Sequence, residues 1–343
     1  MFALGFKQHG DASVMEVFET EIPTPKPHEV LIEVKASALN RLDLWVRSGW
    51  PGLKLALPHI SGSDAAGIVK ECGAEVMHLA IGDRVALNPG INLYDDEFTA
   101  SGDNSVSPGF KIIGEQLPGT HTQYIAVPAK NCLKIPESIS FASAAACGLV
   151  GVTTWRMLVR QADMQCGQKV FVVGAGGGVN SFAIQLAKLA GCEVFTITSS
   201  AEKMQMAKNL GADHVLNYRE NNDWARELMA LSDSAGFDIV VDNVGQATLK
   251  KSMRLVKRGG KIVIVGNTTG PMAEIDIRYI FGKQISLIGS TMGNHDDYCK
   301  AMGLLFQNKI DPVIHEHYAL KDGIAAMNAL EKGTHFGKII LEA

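Results

Sequence analysis

The sequence predicts an α/β protein in which a small β-barrel or sandwich precedes a doubly wound parallel sheet, and three observations predict it. Up to about Val127 the chain reads as short strands divided by Pro and Gly. From Phe141 onward apolar runs alternate with helix-like segments. Within the second texture lies Lys169 to Ala190, KVFVVGAGGGVNSFAIQLAKLA, with the pattern of a strand, a tight turn and an amphipathic helix. Strand and helix in alternation imply a parallel sheet covered on both faces.

Taken in order, Glu29 to Ala36 (EVLIEVKA) alternates apolar and polar residues, as a strand with one wet face does. Ala65 to Val69 and Arg84 to Leu87 follow as short strands, separated by turn signals such as Ile81-Gly82-Asp83-Arg84. Ser140 to Val159 is alanine-rich and helical in character. Val170 to Val173 then enters Gly174, Gly176, Gly177 and Gly178, and the chain leaves with apolar residues at Val179, Phe182, Ala183, Leu186 and Ala190. Glycines at such a junction let the backbone approach a pyrophosphate, whose charge rests on the free N–H groups and positive dipole of the helix start. The apolar runs Val194 to Thr198, Ile239 to Val241, Ile262 to Val265 and Ile285 to Ile288 alternate with helices around Lys203 to Leu210, Trp224 to Leu231 and Ala247 to Leu255. Helices around Tyr298 to Phe306 and Lys321 to Leu330 and a strand from Lys338 to Glu342 close the chain.

With 343 residues, 46% of them hydrophobic and 20% charged, the composition is that of a two-domain globular protein with a large core. A net charge of −4 without a long basic run argues against nucleic acid or an anionic membrane as partner. Six cysteines without a CxxC pair, behind a start that lacks a charged leader, suit reduced thiols in the cytoplasm. No apolar run is expected to reach the length needed to span a bilayer.

The ordered segments ASALNRLDLWVRSG, LPHISGSDAAGIVKECG, IGDRVALNPG, GTHTQYIAVP, the glycine turn, NLGADHVLNY, DIVVDNVG, GGKIVIVG, LIGSTMG and HFGKIIL together resemble the medium-chain dehydrogenase/reductase superfamily over essentially the whole chain. The resemblance implies a GroES-like catalytic domain (1–151 and 293–343) and a Rossmann nucleotide-binding domain (152–292), with cofactor and substrate meeting in the cleft. It also implies a homodimer or homotetramer, because Ile285 to Ile288 is similar to the edge strand through which relatives join their sheets.

Departures from that pattern are informative. Zinc alcohol dehydrogenases of the superfamily hold a catalytic metal with a Cys, a His-Glu pair and a further Cys or acidic residue. The matching positions here are Asn40, Ser63-Asp64 and Val150. An amide, a hydroxyl and an alkyl group do not replace thiolate and imidazole, so only Asp64 retains metal-binding capacity and catalytic zinc is expected to be absent. The structural-zinc lobe is kept at full length as NPGINLYDDEFTASGDNSVSPGFKIIGE, with Leu93, Asp96, Thr99 and Ser107 at its four ligand positions. The acidic run Asp95, Asp96 and Glu97 offers hard oxygen ligands for Ca²⁺ but reads first as a solvated loop.

Without the metal, no Lewis acid polarises an alcohol or aldehyde oxygen, and hydride transfer suits substrates that carry their own electron sink. Asn40-Arg41-Leu42-Asp43 with Arg47-Ser48-Gly49 is similar to the N-x-x-D…RSG pattern of zinc-independent quinone oxidoreductases, although Trp50 stands where a tyrosine is common. By motif position the catalytic candidates are Asn40, Asp43, Trp50, Asp64, His121 and Thr154. His121 offers an imidazole for the substrate carbonyl, or is a polar wall residue. Asp43 is either part of the chemistry or an anchor for the Asn40 loop. Thr154 is expected to open the helix facing the nicotinamide and to bond the cofactor or a neighbouring backbone group.

The second strand of the nucleotide unit ends in Ser199-Ser200-Ala201-Glu202-Lys203, with no acid where an NAD ribose would need one. The resemblance places Ser199, Ser200, Lys203 and Tyr218 around a 2′-phosphate, so NADP is expected ahead of NAD. Asn180 takes the place of the last glycine of the phosphate loop. Asn243, Val244, Gly266, Ser290, Thr291 and Met292 match strand-end positions lining the nicotinamide, and Lys338 matches a basic position near the phosphates. The expected activity is zinc-independent, NADPH-dependent reduction of quinones or α,β-unsaturated carbonyls, with Asn40 or His121 holding the oxygen. The alternatives are an alcohol dehydrogenase or aldehyde reductase of the same superfamily, and a non-catalytic NADPH-binding protein.

Overall fold

The longest strand, Glu29–Ala38, is buried at seven of its ten positions and organises the first compact unit, Met1–Val152 with Gly293–Ala343. The computed structural model describes all residues from Met1 to Ala343. Val30, Ile32 and Val34 reach a core shared with Val69, Val85 and Leu87. Alternate apolar side chains on paired strands bury one face in this way. The strand pairs antiparallel with Asp64–Cys72 on one side and with the chain-closing Lys338–Glu342 on the other. Arg84–Leu87, Cys132–Lys134, Ile314–Ala319 and Tyr124–Pro128 complete a seven-stranded sheet. A three-stranded sheet of Met15–Glu19, Phe2–Phe6 and His59–Ile60 packs Leu4 and Phe6 into a second cluster with Leu39, Met327, Leu330 and Ile339.

Register fixes what this sheet brings together. Ala38 lies opposite Asp64 on one neighbour and opposite Ile340 on the other. Asn40, two residues beyond Ala38, and Lys338, two before Ile340, therefore meet Asp64 where the three strands end.

The second unit, Thr153–Met292, is a six-stranded parallel sheet. Its strands are Lys169–Val172, Glu193–Thr198, His214–Asn217, Phe237–Val241, Val256–Ile264 and Ser286–Gly289. Counted 1 to 6 in chain order, they lie 3-2-1-4-5-6, the doubly wound order of dinucleotide-binding sheets. Central positions such as Phe171, Phe195, Phe237 and Val240 are fully buried, which accounts for their unbroken apolar runs.

Several expectations change. His214–Asn217, Ile277–Lys283 and Ile314–Ala319 were not expected as elements, being short or interrupted by charge. The alanine-rich helix spans Phe141–Trp155 and continues as a π-helical stretch, Arg156–Gln161, so Thr154 lies near the end of the α-helix and does not open it. Together they form one 21-residue helix of mean hydropathy 1.3, long and apolar enough by length and composition to cross a bilayer, contrary to expectation. The window is 72% buried inside the protein, the burial of a core helix.

Candidate active site

Three side chains from the three strand ends form a buried polar centre. Asp64 is wholly buried, Asn40 is 7% exposed and Lys338 is 4% exposed. The Lys338 ammonium donates to Asn40 Oδ1 and, at 3.2 Å, to Asp64 Oδ2. Asn40 Nδ2 donates to the same Asp64 oxygen at 2.9 Å and to the Ala38 carbonyl at 3.2 Å. Asp64 Oδ1 accepts the backbone N–H of Leu149 at 2.6 Å. Leu149 belongs to Phe141–Trp155, and the carboxylate reaches that helix because its neighbour is Gly148, where a Cβ would come within 2.5 Å of Asp64 Oδ1. The Lys338 ammonium thus bonds Asn40 and Asp64 within the first unit and is 4% exposed, rather than standing free for a phosphate. Both Asn40 N–H groups are likewise used inside the protein, on Ala38 O and Asp64 Oδ2.

These residues do not fit a zinc ion. Zinc needs thiolate, imidazole or free carboxylate donors. Here the Asp64 oxygens already accept three N–H groups, the Asn40 oxygen is taken by Lys338, and a cation stands beside both. Val150 is a buried alkyl group, and no group of three or more His, Cys, Asp or Glu residues is arranged to hold a metal. Cys147, wholly buried nearby, has its thiol pushed far up, by burial first and then by the Asp64 carboxylate. Ser63 Oγ and Tyr298 OH are buried without partners, and neither position was weighed as a proton-handling group from the sequence.

His121 lies elsewhere than expected. Its ring is wholly buried against Gly62, whose φ of +98° and want of a Cβ admit it. Nδ1 is 2.9 Å from Ser37 Oγ, and Nε2 is 3.5 Å from Asp43 Oδ2. The imidazole faces Ser37 and Asp43 and has no exposed edge for a substrate carbonyl. Asp43 Oδ2 accepts the Asn40 backbone N–H at 2.7 Å, so it anchors the Asn40 loop. Ser37 was missed because a serine inside an apolar strand gives no signal on its own.

In the lobe from Asn88 to Glu115, hydrogen bonds join three of the four positions that the resemblance matches to zinc ligands. Asp96 caps the short helix Glu97–Ser101: its Oδ1 accepts Phe98 N–H and Thr99 N–H, its own N–H donates to Thr99 Oγ1, and Ser107 Oγ donates to its Oδ2 at 2.6 Å. Leu93 is exposed and, with Trp50, Leu53, Lys54, Lys111 and Leu117, borders an open hollow of about 530 Å³. The Ser107 hydroxyl, then the Thr99 N–H, hold the Asp96 carboxyl below its ordinary 3.8. A lowered folded-state pKa contributes stability that is fully present above the ordinary value and is lost as pH falls through the lowered one. Amide exchange across 96–109 is expected to accelerate in acid, and Ser107→Ala to move that onset to higher pH; an unmoved onset refutes the clamp.

In the second unit Gly174 has φ +86°, and Gly177 precedes the helix Gly178–Leu189 with Val179 in its first turn, leaving the initial N–H groups for a phosphate. Asn180 Nδ2 donates to Val173 O at 2.9 Å and to Gly174 O at 2.6 Å. Asn180 Oδ1 accepts Asn243 Nδ2 at 2.8 Å, and Asn243 Oδ1 accepts Val265 N–H at 3.2 Å. This amide relay ties the turn to the fourth and fifth strands, so Asn243 acts on the turn's shape. Thr154 Oγ1 donates to Val179 O at 3.3 Å, and Thr153 meets Met292 sulfur at 3.8 Å. Gly266 and Ser290 stand at strand ends, Ser290 Oγ is buried without a partner, Thr291 is exposed, and Val244 O accepts Thr269 Oγ1 at 2.8 Å.

Ser200 caps the next helix, accepting Lys203 N–H at 3.2 Å, with Ser199 half-buried beside it and Tyr218 40% exposed. Burial, then the Arg219 guanidinium, hold the Lys203 ammonium below its usual value. Arg219 was not singled out from the sequence, yet it adds a second cation to this corner, opposed by the Glu202 carboxylate.

Residues 26–137 match the alcohol dehydrogenase GroES-like domain family, and residues 178–307 match the zinc-binding dehydrogenase family. The chain is 32% identical to crotonyl-CoA carboxylase/reductase of Cereibacter sphaeroides, over 97% of this chain and 85% of that protein. It is 30% identical to human quinone oxidoreductase, over 93% and 91% of the two chains. Among solved structures, an NAD-dependent alcohol dehydrogenase superposes with a TM-score of 0.96 at 35% identity, covering all of both chains.

Proposed function

The chain belongs to the medium-chain dehydrogenase/reductase superfamily of NAD(P)H-dependent oxidoreductases, and from that premise we propose that it is a zinc-independent, NADPH-dependent reductase of quinones or α,β-unsaturated carbonyls. The observation that supports this most is the Asn40–Asp64–Lys338 centre, whose donors do not fit the metal that would polarise a simple carbonyl. A quinone or enone needs less polarisation, because its conjugation carries the arriving charge onto oxygen. Relatives named for quinones and for crotonyl-CoA, whose acyl chain is α,β-unsaturated, agree with that class.

NADPH, when bound, supplies the hydride. On this reading the Gly174–Val179 turn and the start of Gly178–Leu189 hold its pyrophosphate, while Ser199, Ser200, Lys203, Tyr218 and Arg219 hold the 2′-phosphate. The amide pair Asn180–Asn243 keeps the turn in shape. The outer edge of Ser286–Gly289, at the end of the parallel sheet, supports a homodimer or homotetramer joined there. All six cysteines are unpaired, which agrees with a cytoplasmic protein.

The test is the product formed from cyclohex-2-enone with the purified protein, comparing NADPH and NADH as reductant. The expected result is cyclohexanone, formed faster with NADPH. Cyclohex-2-enol would mean the carbonyl itself is reduced, and would return the protein to the alcohol dehydrogenase reading.

A further inference from the structure

We propose that Cys166 and Cys192 are a redox-responsive pair in the second unit: a small disulfide such as oxidised glutathione converts the two thiols into one intramolecular disulfide.

Backbone pairing sets the two residues side by side. Gly167 N–H donates to Gly191 O at 3.0 Å and Glu193 N–H to Gln168 O at 2.9 Å. Residues 166–168 therefore run alongside 191–193, immediately before the parallel strands Lys169–Val172 and Glu193–Thr198. Segments paired in this way lie about 5 Å apart, and a disulfide spans Cα separations of about 4.4–6.8 Å. The thiols reach across reciprocally. Cys166 Sγ lies 3.7 Å from Gly191 O, the carbonyl that leads into Cys192, and Cys192 Sγ lies 3.4 Å from Gln165 O, the carbonyl that leads into Cys166. Gly191 admits this approach, because a Cβ there would stand 2.7 Å from Cys166 Sγ and its φ of +79° suits glycine. Cys72 and Cys132 make the contrast: the strand Arg84–Leu87 lies between the strands that carry them.

The two thiols differ in the way an attacked and a resolving cysteine do. Cys166 is exposed, whereas Cys192 is 3% exposed, so a reagent meets Cys166 first. Burial, then Cys166, push the Cys192 thiol up to about 11, and closure accordingly draws on a small thiolate fraction.

The chemistry balances. Cys166 thiolate attacks one sulfur of the oxidant and breaks its S–S bond, and a mixed disulfide forms while one small thiol leaves with the Cys166 proton. Cys192 thiolate then attacks the Cys166 sulfur, and the second small thiol leaves with the Cys192 proton. Two protein thiols are oxidised and one small disulfide is reduced. The closed loop encloses Lys169–Val172, the glycine turn and the helix Gly178–Leu189, so the bond restricts the unfolded state of the segment assigned to the pyrophosphate.

The experiment incubates the full chain with oxidised glutathione at about pH 8.5, where more of the Cys192 thiolate is present. Free thiols are then blocked with iodoacetamide, and the tryptic digest is read by mass spectrometry without reduction. The expected product joins peptide 161–169 to peptide 189–203 and disappears with dithiothreitol. Oxidised wild type is expected to melt about 5 °C or more above the reduced protein. Cys166→Ser is expected to show neither effect. Cys192→Ala, shown to fold by circular dichroism, is expected to retain glutathione on Cys166, with no thiol to displace it. The assignment is overturned if wild-type Cys166 keeps glutathione without a linked peptide, if neither cysteine is modified, or if Cys166 joins a different cysteine. It is overturned too if the link forms only in urea, or if oxidised wild type melts no higher than oxidised Cys166→Ser.

Discussion

Asp64→Leu is expected to destabilise the first unit by about 3–5 kcal/mol, because it removes one partner of a buried ion pair and leaves the other behind. Lys338, 4% exposed, would keep only Asn40 Oδ1, and Leu149 N–H and Asn40 Nδ2 would lose their acceptor in the same stroke. Urea unfolding followed by tryptophan fluorescence measures the loss. The diagnostic comparison is Asp64→Leu with Lys338→Met, in which neither charge remains; this pair is expected to recover much of the stability, since a buried ion pair replaced as a unit by apolar residues is often neutral. A single variant within 1 kcal/mol of wild type would mean that the ammonium reaches water when released, and the centre would not be the closed polar cluster described.

The second large effect is expected in the nucleotide-binding unit. Asp242 is wholly buried at the end of the fourth parallel strand and gathers four donors: Val244 N–H at 3.0 Å, Gly245 N–H at 3.1 Å, Thr248 Oγ1 at 2.8 Å and Ser252 Oγ at 2.7 Å. The carboxylate shapes the turn after the strand and fastens it to the helix Leu249–Leu255. Asp242→Leu strands those donors in an apolar setting, at a cost of about 1–3 kcal/mol for each one that finds no replacement. A loss of about 3 kcal/mol or more is expected, with NADPH binding weakened because Asn243 and Val244 follow directly in the chain. Thermal melts with and without NADPH read both effects; an unchanged melt would show that water takes over the carboxylate's bonds.

Asp242 illustrates what the sequence could and could not convey. Its motif, DIVVDNVG, identified the strand and its place in the doubly wound sheet, because apolar runs and glycine turns are local signals. The same held for Lys169–Val172 and the turn after it. What the acidic residue does there depends on donors six and ten residues away, folded back by the helix. The first unit shows this more sharply. Asn40, Asp64 and Lys338 were each singled out, yet 274 residues separate Asp64 from Lys338, and only the register across Glu29–Ala38 brings them together. Spacing alone does not reveal that Lys338 and Asn40 bond each other and Asp64, or that His121 meets Ser37. Arg219 and Ser37 escaped notice because a lone arginine in a loop and a lone serine in a strand have no period and no spacing to betray a role.

The lobe around Asp96 has a consequence for the conditions under which this enzyme would survive. A lobe pinned by thiolates and zinc fails when oxidants take the sulfurs or when metal is scarce. Here Asp96, Thr99 and Ser107 close the same segment with oxygen and nitrogen atoms alone. Hydrogen peroxide and chelators have nothing to attack at that point.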